Sequence, residues 1–354
     1  MLAVATLPPY RLIAGPAVIE FAGTREASLG QSHLWCGRRS NHARCATDRS
    51  VFLQSRSGRR EQKETLWRGR ANSENLNAMT PIPVTVVVPV KNEEKNLPAC
   101  LAKLGHFAEI LIVDSSSTDR TREVAEAANV KVINFTWHGG FPKKRNWVLL
   151  NYKFMTHWVL FLDADEQLTD AFLQEINARI ASDRFDGYWL NYRNHFLGRV
   201  LKYGVPQRKL ALFRVGGGLY EKIDDANWSE LDMEVHEHPI IQGAIGEINA
   251  PIDHLDFRGI HHFIDRHNSY STWEANRYLQ LNTIPKDARR LSRRQLAKYR
   301  YIARWWFPLA YFMLAYIVRG GFLDGRAGFI YALFKAYYFL QIREKIAELN
   351  AQRS

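Results

Sequence analysis

Cysteine is nearly missing from this chain of 354 residues: there are three, Cys36, Cys45 and Cys100, and no two form a C-x-x-C pair. That spacing supports neither a disulfide framework nor a zinc site, and it makes a reducing compartment the default. Long apolar runs are lacking too. Trp305–Val318 is free of charge for only fourteen residues, short of the roughly eighteen that suggest a membrane span. There is no G-x-G-x-x-G after the first apolar run and no G-x-x-x-x-G-K-[ST] anywhere, so dinucleotide and P-loop readings fail. No internal repeat is visible.

What is present suffices for a globular core. Hydrophobic residues make up 46% of the chain, enough for one large domain or two modest ones. The net charge of +12 is unevenly placed, with twelve Lys/Arg against six Asp/Glu before Met79, which is half of the excess. Residues 1–78 show no sustained period of 2 or 3.6. Their apolar opening is broken by Pro8, Pro9, Arg11 and Pro16, a poor signal-peptide core. The composition predicts a disordered basic segment. Ordered pattern sets in just after Met79, which implies that translation begins there.

From that point strands and helices alternate. Val84–Val88 is a β-branched run, and a helix carrying Leu97, Leu101 and Leu104 on one face follows Asn92. Glu109–Asp114 is a second strand, Arg120–Ala128 a helix, Val130–Phe135 a third strand and Pro142–Leu150 a helix. A fourth strand, beginning at His157, stops at three carboxylates in Asp163-Ala-Asp-Glu166. Such alternation predicts right-handed βαβ units and a parallel sheet, an α/β fold covered on both faces. Ligands of such sheets bind beyond the carboxyl ends of the strands. Asn92 and Glu93, Asp114, and the Asp163/Asp165 pair would all reach that one rim. Packed carboxylates repel unless something positive neutralises them, and a hard divalent cation with oxygen ligands is the usual answer. The bland alternative is a polar cap on a strand end, followed by a helix that Thr169 and Asp170 start. Lys143-Lys-Arg145, opening a helix after Gly139-Gly140, offers backbone N–H groups and basic side chains to a diphosphate.

Beyond Asp183 the pattern changes. Strands are expected at Asp186–His195, Lys209–Val215 and Ala244–Leu255, and a long helix at Ile260–Leu281. Lys286–Arg304 carries eight Lys/Arg and one Asp, and it feeds two apolar stretches, Trp305–Val318 and Phe329–Ile342. With Trp, Tyr and Arg at their borders, these predict helices lying on an anionic membrane surface, residues 261–354 forming a membrane-associating region. A buried helical hairpin or a dimer face is the alternative.

Several motifs together resemble the inverting family 2 glycosyltransferases of the GT-A (Rossmann-like nucleotide-diphospho-sugar transferase) fold, over about residues 82–260. Val86-Val-Val-Pro-Val-Lys-Asn-Glu-Glu94 looks like the opening strand and nucleotide loop. Ile112-Val-Asp-Ser-Ser-Ser-Thr-Asp-Arg-Thr121 is similar to the family's V-D-[DS]-x-S-T-D-x-T turn, Arg145-Asn146 to its R-N pair, and Leu162-Asp-Ala-Asp-Glu166 to its D-x-D. Within the family, Glu234-Val-His-Glu237, His254, Asn268–Ala275 and Gly321-Phe-Leu-Asp-Gly325 resemble the lipopolysaccharide-core β-glucosyltransferase branch. One departure is Ala211, where a basic residue often precedes the Leu-Phe of Arg208-Lys-Leu-Ala-Leu-Phe-Arg214.

The resemblance implies a glycosyltransferase domain over 79–260 and a nucleotide-sugar donor, with UDP read at Asp114 and bound along Pro89, Asn92, Glu93, Arg145 and Asp163. It implies Mg²⁺ or Mn²⁺ on Asp163 and Asp165, with His254 closing the coordination. The acceptor would be a cell-envelope glycan or glycolipid such as lipopolysaccharide core, met at the cytoplasmic face of a bacterial inner membrane. No nucleic-acid partner is expected. An inverting reaction also needs a carboxylate base, and Asp232, Glu234 and Glu237 crowd together beside His236. Strand alternation puts Glu234 and His236 on one face and Glu237 on the other. His238-Pro239 restricts the backbone and could free Glu237 to turn inward. Resemblance to the family's V-H-E places the base at Glu237. Two other readings stand beside this one. A nucleotidyltransferase would need a Gly-rich loop after the first strand, which Pro89-Val-Lys-Asn-Glu lacks. An inactive membrane-bound interaction protein of the same fold would bind no nucleotide with metal.

Overall fold

The computed structural model describes residues 80–234, 238–285 and 291–353. The expected disordered segment 1–78 and the expected base Glu237 fall outside the described residues.

The first half builds a sheet outward from one strand. β1 (Ile82–Val90) is buried at every residue from Val84 onward, so both of its faces are covered, as a β-branched run without alternation requires. It pairs in parallel with β2 (Phe107–Asp114) and with β4 (Trp158–Phe161), and β2 pairs in parallel with β3 (Lys131–Asn134). Helices α1 (Leu97–Leu101), α2 (Thr121–Ala127) and α3 (Lys144–Asn151) carry the chain between these strands. The first helix is shorter than its leucine spacing suggests. Asn92 turns the chain at φ 57°, a left-handed conformation that its short polar side chain tolerates. Pro98 then sits in the first turn, where no backbone donor is needed, and Leu104 falls in a separate 3₁₀ turn.

The sheet does not stay parallel. β8 (Arg208–Arg214) runs antiparallel to β4 and to β6 (Gly187–Phe196). β11 (Ile245–His254) lies parallel to β6, and the short β5 (Glu166–Gln167) pairs antiparallel with β11. The order is β3-β2-β1-β4-β8-β6-β11-β5, with β7 (Arg199–Val200) paired to β6. A separate ribbon joins β9 (Gly218–Tyr220) to β10 (Pro239–Ile241). Between β5 and β6, α4 (Asp170–Ile180) begins where Thr169 Oγ1 accepts the Phe172 N–H at 3.1 Å, and its 172/176/180 stripe enters the core.

The C-terminal part is helical: α5 (Gly259–Thr283), α6 (Arg293–Tyr301), α7 (Phe307–Met313) and α8 (Gly325–Ala351). Ala275, Leu279, Ile302, Tyr338, Ile342 and Ile346 make a second core between α5, α8 and the end of α6. A π turn at Leu314–Val318 and a 3₁₀ turn at Gly321–Asp324 join α7 to α8. A Cβ on Gly321 would stand 2.7 Å from the Ala315 carbonyl oxygen, so this connection closes only on a residue without a side chain. Among the described residues, no helix is long and apolar enough to cross a membrane.

Candidate active site

β4 ends at Phe161, and the next residues form the acidic turn at the carboxyl rim of the sheet. The turn is closed by the Glu166 N–H donating to Asp163 O at 2.9 Å and the Asp163 N–H donating to Glu166 Oε2 at 3.0 Å. One carboxylate oxygen from each of Asp163, Asp165 and Glu166 lies within 4.8 Å of the others. Asp163 and Asp165 open onto a cleft of about 790 Å³, lined also by Pro89, Glu93, Arg145 and His254.

Two buried carboxylates beside a half-buried third persist only with positive charge near them, and here basic side chains supply it. Arg145 Nη2 donates to Asp163 Oδ1 at 2.6 Å, and Lys209 Nζ lies 3.5 Å from Asp163 Oδ2. Burial pushes the Asp163 carboxyl up, but Lys209 and Arg145 outweigh it and hold the group below its ordinary value. Arg266 Nη1 donates to Asp165 Oδ2 at 2.8 Å, with His254 Nε2 at 3.4 Å and Arg258 Nη2 at 4.0 Å. Burial of Asp165 is likewise overridden, by His254 and then Arg266, so its carboxyl titrates well below the usual range. Glu166 accepts from the Tyr192 hydroxyl and from Lys209 Nζ. Here burial prevails over the Lys209 charge and its pKa is raised. Asn194 Oδ1 stands 3.1 Å from His254 Nδ1. Taken as the acceptor of an Nδ1–H, it turns Nε2 toward Asp165 and fixes the tautomer a metal ligand needs. Oxygen donors in this number, with an imidazole nitrogen beside them, fit a hard divalent cation such as Mg²⁺ or Mn²⁺.

The residues expected to bind the nucleotide divide into two groups. Pro89, Glu93 and Arg145 line the cleft, whereas Asn92 and Asp114 do not. Asp114 ends β2 only 2% exposed, and its Oδ1 accepts the Ser117 N–H at 3.0 Å. Asn92 ties the loops after β1 and β2 together: its N–H donates to Ser117 Oγ at 2.9 Å, and its Oδ1 accepts the Thr118 N–H at 2.8 Å. The two form the frame of one rim loop pair.

Of the acidic candidates near 232–237, the described ones are already engaged. Glu234 is buried, and its two oxygens accept the N–H groups of Arg145 (3.0 Å) and Asn146 (2.9 Å), at the start of α3 where the helix dipole favours an anion. Asp232 Oδ2 lies 3.3 Å from Lys144 Nζ. Val235, His236 and Glu237 are outside the described residues.

Sequence reasoning passed over Lys209, Arg258 and Arg266. Arg258, His262 and Arg266 recur every four residues, a signal that one helix face turns positive charge toward the acidic rim. Lys209 lies two residues before Ala211, where the pairing of β8 with β6 skips a residue, and its ammonium serves Asp163 and Glu166.

Glu93 yields a prediction about stability. Its Oε1 accepts from Arg258 Nη1 at 2.7 Å and its Oε2 from Asn96 Nδ2 at 2.9 Å. Burial nevertheless exceeds the Arg258 attraction, and its pKa is pushed up from 4.5 to about 7. The folded chain thus holds this proton more tightly than the unfolded chain does. The resulting stability is present below about pH 4.5 and lost as pH rises through about 7. Urea denaturation of Glu93→Gln beside the parent chain should show the gap moving in the variant's favour over that window. The shift should be at most about 3 kcal/mol. A gap independent of pH would refute this account of Glu93.

An α/β sheet that is parallel over its first four strands, with carboxylates and basic groups gathered at the carboxyl rim above a cleft, is consistent with the GT-A fold of glycosyltransferases. Residues 85–232 match the family described as Glycosyl transferase family 2, so the chain carries a family 2 glycosyltransferase domain and is a transferase. Similar chains include the lipopolysaccharide core biosynthesis glycosyltransferase LpsC of Rhizobium meliloti. It is 27% identical over 288 residues, 77% of this chain and 95% of that one. An uncharacterized glycosyltransferase of Rickettsia felis is 26% identical over 272 residues, 74% of this chain and 90% of its own. Among solved structures, S. aureus TarS 1–349 aligns over 77% of this chain and 92% of that chain, with 14% identity and a TM-score of 0.37.

Proposed function

We propose that this chain moves a sugar from a nucleotide-diphospho-sugar, with UDP as the nucleotide, to a glycan or glycolipid of the cell envelope such as lipopolysaccharide core, inverting the anomeric carbon. The observation that carries the reading is the convergence of Asp163 and Asp165 on a cleft that also holds Arg145 and Lys209, with Glu166 buried beside them. The name of the R. meliloti relative supports the acceptor class. Asp163 and Asp165, with His254, would hold Mg²⁺ or Mn²⁺, which supplies Lewis-acid stabilisation to a departing diphosphate. Arg145 and Lys209 orient the carboxylates and add positive charge on the donor side. Glu237 would take the proton of the acceptor hydroxyl, since Glu234 and Asp232 are engaged elsewhere. The test is a thermal-shift titration with UDP and Mn²⁺, followed by a panel of nucleotide sugars assayed for metal-dependent hydrolysis. Stabilisation that needs both UDP and the metal supports the reading. Indifference to both favours an inactive interaction protein.

Peripheral attachment at the cytoplasmic face of the inner membrane belongs to the same proposal. Trp305 is 74% exposed, Leu309 62% and Val318 72%, beside exposed Arg304, Arg319 and Arg326. An apolar face of this extent, rimmed by cations, suits an anionic bilayer surface. Vesicle flotation should show binding that grows with anionic lipid content and fades with salt. A stable soluble dimer that ignores vesicles would overturn the attachment.

A further inference from the structure

The cleft extends past the acidic turn to a wall built by α5 and α8. Phe196, Phe263 and Tyr331 meet there, with ring centroids 5.5 Å apart for Phe196–Phe263 and 5.3 Å for Phe196–Tyr331. Gln207 Nε2 donates to the Tyr331 hydroxyl at 2.7 Å and holds that ring in place. Beside this wall Lys335 turns into the same cleft from the middle of α8.

Lys335 differs from its neighbours in what it touches. Arg145 has Asp163, Lys209 has Glu166, Lys144 has Asp232, Arg258 has Glu93 and Asp256, and Arg266 has Asp165. Among the described residues, Lys335 is the Lys or Arg of the cleft that is withdrawn from open solvent yet has no carboxylate within 4.0 Å. Its contacts are a ring nitrogen, His267 Nε2 at 3.4 Å, and the face of Tyr338, 5.4 Å to the centroid. His267 Nδ1 lies 2.8 Å from Phe263 O; as the donor to that carbonyl it leaves Nε2 to accept from the ammonium. The charges that act on Lys335 are cationic: burial first, then Arg266 and Arg294, bring its pKa down to about 8. An ammonium kept without a counter-charge among arginines is an unmet demand for an anion.

We propose that Lys335 is the anchor of an acceptor subsite that takes a sugar bearing an anionic oxygen group, a carboxylate or a phosphate ester, whose ring lies on the Phe196, Phe263 and Tyr331 wall. The aromatic faces supply apolar contact to a pyranose, and the ammonium supplies a charge-assisted bond to the anion. Arg266 and His267 are consecutive on α5, so the contact to Asp165 and the contact to Lys335 come from adjacent residues. Asp163, Asp165 and Lys335 line the same cleft, so the anionic sugar would share it with the acidic turn. This assignment rests on the transferase reading, because it describes the acceptor half of the same cleft.

The test is ligand-detected NMR titration of the full chain with glucuronate, glucose 6-phosphate and uncharged glucose, with UDP plus Mn²⁺ binding measured in parallel. The parent chain should bind at least one charged sugar about tenfold more tightly than glucose. Lys335→Met should lose that preference, Lys335→Arg should keep it, and UDP binding should be unchanged in both. Glucuronate preferred over glucose 6-phosphate assigns a carboxylate, and the reverse assigns a phosphate. Equal binding of charged and neutral sugars, or a preference that survives in Lys335→Met, overturns the proposal. So does a Lys335→Met chain that keeps the preference but no longer floats with anionic vesicles, since the ligand is then a lipid headgroup. Failure of UDP to bind any of these chains strikes the transferase reading instead, and the sugar arm separates the two.

Discussion

Asp165→Asn should lower sugar transfer on the order of a thousandfold or more, the scale that several kcal/mol of lost charge stabilisation implies. The substitution keeps the side-chain volume and removes one negative charge from a residue 5% exposed. In doing so it leaves Arg266, 2.8 Å away, and His254, 3.4 Å away, facing a neutral amide. Arg266 retains Asp256 at 3.6 Å, which limits the damage. A buried charge that loses its partner still costs about 3–5 kcal/mol, so a drop in unfolding temperature is expected as well. Activity must therefore be read against the folded fraction. The separating measurement is Mn²⁺ binding at a temperature where circular dichroism shows the variant folded. Loss of both Mn²⁺ binding and transfer in folded protein assigns Asp165 to the metal. Transfer at the parental rate without added divalent ion would remove it from that role.

Glu237→Gln should depress turnover by about a hundredfold to ten-thousandfold, the range for a general base, and leave UDP binding unchanged. Its value lies in the parallel variant. Glu234 uses both carboxylate oxygens on the N–H groups of Arg145 and Asn146. A glutamine can satisfy only one of them and sets an NH₂ against the other. Glu234→Gln should accordingly lose about 1–3 kcal/mol of stability. Its rate per folded molecule should stay far above that of Glu237→Gln. If Glu234→Gln is folded and dead while Glu237→Gln turns over, the base is Glu234 and the helix cap is secondary.

Two strands that frame the site were legible as branched apolar runs with clear ends, Val84–Val88 stopped by Pro89 and Glu109–Asp114 closed by its own terminal carboxylate. β8 did not reveal its direction, since Arg208–Arg214 reads as a strand whichever way it runs. Only its neighbours, β4 and β6, fix it as antiparallel. The acidic turn was readable from Asp163 and Asp165 alone. The counter-charges were not, because the Arg266 to Asp165 contact spans 101 positions of chain and leaves no local pattern. Glu234 illustrates the opposite difficulty. Its sequence context suggested catalysis or a strand face, and the use it serves, capping α3 across 89 positions, depends on where a distant helix begins.

The connection from β7 to β8 is held by the C-terminal helices. Asp324 accepts the N–H groups of Lys202 and Tyr203 at 3.1 and 2.9 Å, and the Gly204 N–H donates to Arg319 O at 3.0 Å. Gln207 reaches Tyr331 from the same connection. Ending the chain before residue 305 would thus strip supports from a wall of the cleft and remove Tyr331 and Lys335 outright. In an exchange with a relative, residues 197–207 and 305–351 should therefore be moved together. A chimera that swaps one piece without the other mismatches both, however well each half folds.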